Sequence, residues 1–270
     1  MNKPIRLAIA GALGRMGKML ITEIIKKKHN ISLNVALVNK NSVFIKKDVG
    51  TVMNITPVGV LLESSLKKNI NNFDILIDFS NTYNTMKNIE ICRLYKKNIV
   101  IGTTGFNVHE KKIITCASQD IGIILSANFS IGINIMLKLL KITTHILGNS
   151  SDIEIIESHH RNKIDSPSGT ASTIGETIAN ELNYNIDQNS IYRKKGLIGK
   201  REKQKIGFSI IRAGDIVGEH KVMFAESGER LEINHIASNR LPFAIGAIRS
   251  AIWLNKKQKG LFTMSDVLNI

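Results

Sequence analysis

Apolar positions in the first half of the chain fall into short continuous runs separated by longer amphipathic stretches. The runs are Arg6–Ala10, Leu33–Val38, Asp74–Phe79, Asn98–Gly102 and Ile121–Ala127, and Ile75-Leu76-Ile77 is apolar at every position. A strand that is apolar on both faces suits a parallel sheet covered on both sides. Between the runs, segments 16–28, 84–96 and 109–119 carry helical patterns. This alternation predicts βαβ units around a Rossmann-type parallel sheet.

The pattern changes after Asn128. A helix is predicted over 133–147, with Ile135, Leu139, Ile142 and Ile146 along one stripe. A strand follows at 153–158, then a helix over 169–182 with Ala171, Ile174, Ile178 and Leu182 on one side. Segment 185–205 is polar, basic and glycine-bearing, which predicts a loop. Ile206/Phe208/Ile210, Val222/Phe224 and Leu231/Ile233 then alternate with polar residues, as antiparallel strands with one wet face do. A final helix over 243–254 is expected to pack back on the first domain. The predicted architecture is α/β, with a dinucleotide-binding domain over 1–128 joined by 241–270. A second α+β domain over 129–240 is built on a mixed or antiparallel sheet.

Length supports this division, since 270 residues suffice for two cores. The formal charge of +15 raises nucleic-acid binding as a function. The lysines are scattered, however, in runs such as Lys26-Lys27-Lys28, Lys46-Lys47, Lys96-Lys97 and Lys194-Lys195, mostly at expected helix ends or in loops. No aromatic ladder accompanies them, so no nucleic-acid partner is expected, and the charge serves to attract an anionic cofactor and substrate. No run of about 18 apolar residues is present, which predicts no membrane-spanning helix. The apolar run after Ile5 is cut by Gly11 and Gly14, unlike a signal peptide. Cys92 and Cys116 lack metal or redox spacing and point to a reducing compartment.

Two segments carry candidate chemistry. Gly11-Ala12-Leu13-Gly14-Arg15-Met16-Gly17 follows the first strand and opens a helix. Glycine at 11 permits positive φ, Gly14 lets a pyrophosphate approach, and Gly17 lets helix and strand close together. The helix start then offers amides to the phosphates. The acidic residue expected about 20 residues on, to hold the adenosine ribose, is missing. The second strand ends Val38-Asn39-Lys40, and Asp48 lies too far along. The missing carboxylate favours NADPH over NADH, with Lys40 available to a 2′-phosphate. Gly102-Thr103-Thr104-Gly105 and Ser126-Ala127-Asn128-Phe129 follow later strands, on the edge where open α/β sheets bind ligands.

The second segment is His159-His160-Arg161-Asn162-Lys163, four possible cations in five positions. Such a concentration calls for an anion. Ser168 is placed to cap the next helix, whose first amides at Gly169 and Thr170 form a further anion site with the threonine hydroxyl. A small dicarboxylate fits both halves, and a histidine can deliver a proton near neutrality. No metal is expected, since there is no HExxH and no thiolate spacing.

Several motifs, in this order, resemble the 4-hydroxy-tetrahydrodipicolinate reductase family, also called dihydrodipicolinate reductases. They are Gly14-Arg15-Met16-Gly17, Gly102-Thr103-Thr104-Gly105, Ala127-Asn128-Phe129-Ser130, Glu157-Ser158-His159-His160, and Lys163 with Pro167-Ser168-Gly169-Thr170-Ala171. Arg212 through His220, Gly228 through Glu232 and Ala251 through Leu254 extend the likeness nearly end to end. The resemblance implies reduction of 4-hydroxy-tetrahydrodipicolinate, by way of dihydrodipicolinate, to tetrahydrodipicolinate by NADPH or NADH in the diaminopimelate–lysine pathway. It implies that His159 is the proton donor and acceptor, that Lys163 is the second proton donor, and that His160, Gly169 and Thr170 bind substrate. Gly11, Ala12, Leu13, Gly14, Arg15, Met16, Asn39, Gly102, Thr103, Thr104, Ser126, Ala127, Asn128 and Phe129 would bind the cofactor. A cytoplasmic homotetramer, associated through the substrate-domain sheet over 206–236, is implied as well. The chain departs from the family at Leu13, Val38, Asn39 and Asn81, all in the cofactor region. Two other readings are a homoserine- or aspartate-type dehydrogenase on the same scaffold and a non-catalytic basic anion- or nucleic-acid-binding module. The His-His-x-x-Lys and Ser-Pro-Ser-Gly-Thr combination speaks against the first.

Overall fold

The apolar runs become the inner strands of a parallel sheet. The computed structural model describes residues 3–26, 30–192, 196 and 199–270. Lys27, Lys28, Lys194 and Lys195, and with them the predicted end of the first helix, lie outside the described residues. In chain order the first elements are β1 (Ile5–Ala10), α1 (Arg15–Lys26), β2 (Ile31–Leu37), α2 (Val49–Val52), β3 (Leu62–Glu63) and β4 (Ile75–Asp78). They continue with α3 (Thr82–Leu94), β5 (Asn98–Ile101), α4 (Val108–Ala117), β6 (Gly122–Leu125) and α5 (Ile131–Leu147). Then come β7 (Asp152–His159), α6 (Gly169–Leu182), α7 (Ile186–Asn189), β8 (Ser190–Tyr192), β9 (Ile206–Arg212), β10 (Gly218–Ala225) and β11 (Arg230–Ala237). The chain closes with α8 (Leu241–Leu254), β12 (Gly260–Phe262) and α9 (Met264–Leu268).

The chain divides into two compact units, residues 1–131 with 240–270, and residues 132–239. In the first unit the parallel strand order is β12-β6-β5-β4-β1-β2-β3. Alternate residues of β1 serve opposite cores. Leu7 and Ile9 pack with Leu20 and Ile21 of α1 and with Ala247, Ala251 and Leu254 of α8. Ala8 and Ala10 pack with Leu76, Ile89, Ile99 and Ile114 on the other face. α8 therefore belongs to this unit's core. β3 and β12 were not expected; two- and three-residue strands carry too little pattern to register.

The second unit holds a five-stranded sheet in the order β11-β10-β7-β9-β8. β7–β10 and β10–β11 are antiparallel, as the alternation suggests. β9 departs from that expectation and runs parallel to both β7 and β8. For β7 the reason is topological: a parallel partner needs a crossover, and α6 lies in the connection that supplies it. The loop expected over 185–205 contains α7 and β8. Asn185 caps α7 through its side chain, and Ser190–Tyr192 pair with Ile206–Phe208 at the sheet edge, where polar residues are tolerated. α5 also differs. Its buried face is Ile133, Met136, Leu140 and Thr144, while Ile135, Leu139, Ile142 and Ile146 are exposed. This helix is apolar nearly all round, so three- and four-residue spacing finds two stripes and cannot choose between them. Among the described residues no helix is long and apolar enough to cross a membrane.

Candidate active site

The glycine loop is fixed by sterics. Gly11 has φ +78°, and a Cβ there would stand 2.5 Å from the Phe79 carbonyl oxygen. A Cβ on Gly17 would stand 2.1 Å from the Gly11 carbonyl oxygen. Neither backbone atom can move aside, so both positions demand glycine. At Gly14 the nearest atom is 3.1 Å away, a milder constraint. A cleft of about 480 Å³ opens beside this loop, lined by Gly14, Arg15, Met16, Phe79, Ser80, Asn81, Thr82 and Gly102 through Thr104. Its walls follow the carboxyl ends of β1, β4 and β5, next to the point where the chain runs from β1 outward in both directions. The positive-φ glycine, the close helix start and the adjoining cleft fit a dinucleotide.

The structure thus brings together Gly14 through Met16 and Gly102 through Thr104. It adds Phe79 through Thr82, of which the sequence had drawn notice only to Asn81. Gly102 is glycine because the Phe79 ring occupies the space of a Cβ. Below the cleft, Asp78 is fully buried and accepts from Ser80 N at 2.9 Å, Ser80 Oγ at 2.6 Å and Asn88 Nδ2 at 2.8 Å. Burial raises its pKa above the ordinary carboxylate value. Thr85 Oγ1 donates to Thr103 Oγ1 at 2.9 Å, tying α3 to the second loop.

Other expected cofactor residues lie outside that lining. Asn39 is exposed and turns its Oδ1 to the Asn41 N–H. Ala12 is buried, and Phe129 is buried with its ring 5.6 Å from that of Phe79. Their side chains are core, which leaves the main chain alone for ligand contact. Ser126 Oγ donates to the Asn128 carbonyl at 2.8 Å and shapes the turn after β6. Asp48, set aside as a ribose ligand, is committed to Thr51 N and Gly59 N.

In the second unit, strand pairing assembles the other cluster. Glu157 and His159 lie on the same face of β7 as Ile153 and Ile155, which enter the core beneath the helices, and continue that face to the strand's end. His220 of β10 lies directly across from Glu157, and Arg212 of β9 is paired with His159. Glu157 Oε1 accepts from Ser168 N at 2.9 Å and from Arg212 Nη2 at 3.0 Å. Its Oε2 stands 2.9 Å from His159 Nδ1, bent away from ideal alignment, and neither atom has another hydrogen-bond partner. Burial opposes ionisation of Glu157, yet His159, Ser168 and Arg212 hold its carboxyl well below the usual carboxylate range. His220 packs edge-on against His159, ring centroids 5.2 Å apart. Burial first, then His159, lowers the His220 pKa to about 4.

Ser168 caps α6 as expected, accepting from Ala171 N at 3.2 Å, and Gly169 and Thr170 open the helix. Lys163 Nζ is held by Asp165. The four cations of 159–163 are therefore less bare than the sequence suggested. Glu157 and Asp165, in the same stretch, offset His159 and Lys163, and the count of cations had ignored them. Glu157, Arg212 and His220 were not singled out beforehand; the clue is that alternating strand residues place them on one face. Glu157, His159 and His220 offer donor atoms within 4.8 Å of one another. A dication there would sit beside the Arg212 guanidinium, so the donor set suits proton chemistry better than metal binding.

Comparison with known proteins gives a consistent answer. Residues 5–129 match the family described as dihydrodipicolinate reductase, N-terminus, and residues 132–268 match its C-terminus. The 4-hydroxy-tetrahydrodipicolinate reductase of Buchnera aphidicola subsp. Acyrthosiphon pisum (strain 5A) is 53% identical over 270 residues, covering 100% of both chains. That of Buchnera aphidicola subsp. Baizongia pistaciae (strain Bp) is 51% identical over 268 residues, covering 98% of each. In fold, the chain is similar to the dipicolinate-bound dihydrodipicolinate reductase from Paenisporosarcina sp. TG-14, with TM-score 0.76, 24% identity and coverage of 96% and 97%. Aspartate semialdehyde dehydrogenase II of Vibrio cholerae shares the fold more distantly, with TM-score 0.59, 12% identity and coverage of 94% and 99%. With both halves matched and half the residues of full-length relatives retained, the chain belongs to the dihydrodipicolinate reductase family.

Proposed function

We propose that this protein reduces 4-hydroxy-tetrahydrodipicolinate, through loss of water to dihydrodipicolinate, giving tetrahydrodipicolinate at the expense of NADPH or NADH. The observation that carries the reading is the buried Glu157–His159 pair at the capped start of α6, with Lys163 in the adjoining turn. A bound nicotinamide supplies a hydride; the chain supplies a proton and holds two carboxylates.

The unit formed by 1–128 and 241–270 binds the dinucleotide, and 129–240 binds substrate and partner subunits. Gly11 through Met16, Asn39, Gly102 through Thr104 and Ser126 through Phe129 serve the cofactor, Ala12 and Phe129 through their main chain. His159 delivers the proton that accompanies reduction. Lys163 exchanges Asp165 for a substrate carboxylate and acts as the second proton donor. His160, with Gly169 and Thr170 at the start of α6, holds the other carboxylate, where amides and the helix dipole favour an anion. Fixed positive groups in these places stabilise charge that develops as hydride arrives.

The protein works in the cytoplasm as a homotetramer. The sheet face opposite α5 and α6 supports that assembly, because Ile211 and Ile236 stand exposed on it. The decisive test follows nicotinamide oxidation with the freshly generated precursor, both cofactors, and homoserine- and aspartate-pathway substrates in parallel. Turnover confined to the dipicolinate precursor is the expected result. Turnover of another substrate, or none together with salt-dependent DNA binding, would overturn the proposal.

A further inference from the structure

We propose that Glu157 and His220 are positioning residues for His159, Glu157 fixing the Nδ1 side of the ring so that the proton passes through Nε2, and His220 with Gly218 setting where Nε2 stands. The inference rests on the reading of His159 as proton donor and goes beyond it by naming the atom and its supports.

Geometry carries the assignment. Glu157 Oε2 faces Nδ1 at 2.9 Å, while the other carboxylate oxygen is held by the Ser168 N–H and Arg212. Three contacts from three elements leave that carboxylate one orientation, and a carboxylate on one ring nitrogen selects the tautomer of the other. Nε2 lies at the opposite edge. A Cβ built on Gly218 would come 3.2 Å from Nε2 and 3.7 Å from His220 Cε1, so the missing side chain leaves room there. His220 closes the remaining side edge-on, anchored within 3.4 Å of Ser168 Oγ.

The charged and titratable groups around the pair come from every neighbouring segment. They are Glu157 on β7, Arg212 on β9, His220 on β10, His235 facing His220 from β11, and Lys163 from the following turn. His220 itself stays neutral at working pH, for burial lowers its pKa to about 4. It therefore adds no second cation beside a protonated His159 and does not compete for the proton. This division resembles a base whose orientation is set by a buried carboxylate, in which the carboxylate itself stays ionised.

The test joins nitrogen-15 NMR of the histidines to kinetics. In the full-length wild type, His159 should show the neutral form protonated at Nδ1. Glu157→Gln should lose that signature, lower kcat by ~100-fold and shift the acid limb of the kcat profile, with cofactor Kd unchanged. Gly218→Ala, a milder change that keeps every charge, should lower kcat by ~10-fold at an unchanged melting temperature. If Glu157→Gln does not fold, the wild-type tautomer and Gly218→Ala still decide the matter. An Nε2-protonated wild type, or full turnover in Gly218→Ala, would overturn the inference. His159→Gln separates the two levels: retained turnover removes the proton-donor reading altogether. Its loss, alongside an active Glu157→Gln, removes only the positioning.

Discussion

Lys163 and Asp165 form a two-pronged ion pair across a single turn, with Nζ 2.7 Å from Oδ1 and 2.8 Å from Oδ2. The lysine is mostly covered, while the Asp165 side chain is 55% exposed. Because the carboxylate half of the pair is open to solvent, the pair is weak, worth about 1 kcal/mol. On the proposed reading, Asp165 is a placeholder that a substrate carboxylate would replace. Asp165→Asn should tighten dicarboxylate binding by no more than ~5-fold, read by calorimetry with dipicolinate. Lys163→Ala should instead lower kcat/KM by ~100-fold or more, since a charge and a proton source both disappear. Unchanged kcat/KM in Lys163→Ala would remove the lysine from the mechanism.

The end of β2, the proposed adenosine side of the cofactor site, carries no carboxylate at Val38, Asn39 or Lys40. Asn39 and Lys40 are exposed at the end of β2, and Asp48 is spent on capping α2. The neighbouring Glu63 is neutralised by Lys46, and the exposed Lys40 offers a cation to a 2′-phosphate. The ratio of kcat/KM for NADPH over NADH should exceed one, and Lys40→Ala should lower it by ~5-fold. A clear NADH preference in the wild type would contradict this.

Much of this protein is legible in its sequence, and the unreadable parts have physical causes. Continuous apolar runs such as Ile75 through Ile77 mark buried parallel strands because both faces are covered. The Ser168 cap and the glycines at 11 and 17 are readable because their constraints are local. What escapes is set by tertiary pairing. Nothing local says that β9 will run parallel to β7, or that Arg212 and His220 will meet Glu157 and His159 from strands more than 50 residues away. The buried face of α5 is equally hidden, since an all-apolar helix takes its orientation from its neighbours.

Packing at the glycine loop gives a stability prediction that is independent of chemistry. A methyl on Gly17 would lie 2.1 Å from the Gly11 carbonyl oxygen and 2.6 Å from that of Ala12. Both belong to the turn that joins β1 to α1, so relief requires moving the helix off the strand. Gly17→Ala should destabilise the first unit by about 2–4 kcal/mol, visible as a lower urea midpoint, and should weaken nucleotide binding in parallel. A midpoint equal to wild type would show that α1 is free to shift.

Subunit association can be tested on the uncovered sheet face. Ile236 pairs with Glu219 across β10–β11, on the side opposite Val222 and Phe224, and is 60% exposed. A charge there stays hydrated in an isolated chain but is stranded inside a sheet-to-sheet interface. Ile236→Asp should shift the mass measured by light scattering from tetramer to smaller species, with the circular dichroism spectrum retained. A tetramer that survives the substitution would place the interface elsewhere.

The His220 pKa falls from 6.5 to about 4 on folding, because burial, then His159, penalises the charged ring. Above pH 6.5 the ring is neutral in both folded and unfolded chains and makes no difference to stability. As pH falls from 6.5 towards 4, the unfolded chain takes up a proton that the folded one refuses, so stability is lost across that window. The loss amounts to at most about 3 kcal/mol. Glu157 adds to it further down. Its carboxyl is held well below the usual range, so its contribution is present above the unfolded value of 4.5 and lost only below it. Urea midpoints of the wild type should therefore drop between pH 7 and pH 4.5. In His220→Gln, where no proton can be taken up at this position, the drop should be smaller by most of the histidine's share. Equal slopes in the two proteins would mean that His220 is protonated in the native state, and the neutral wall beside His159 would fall with it.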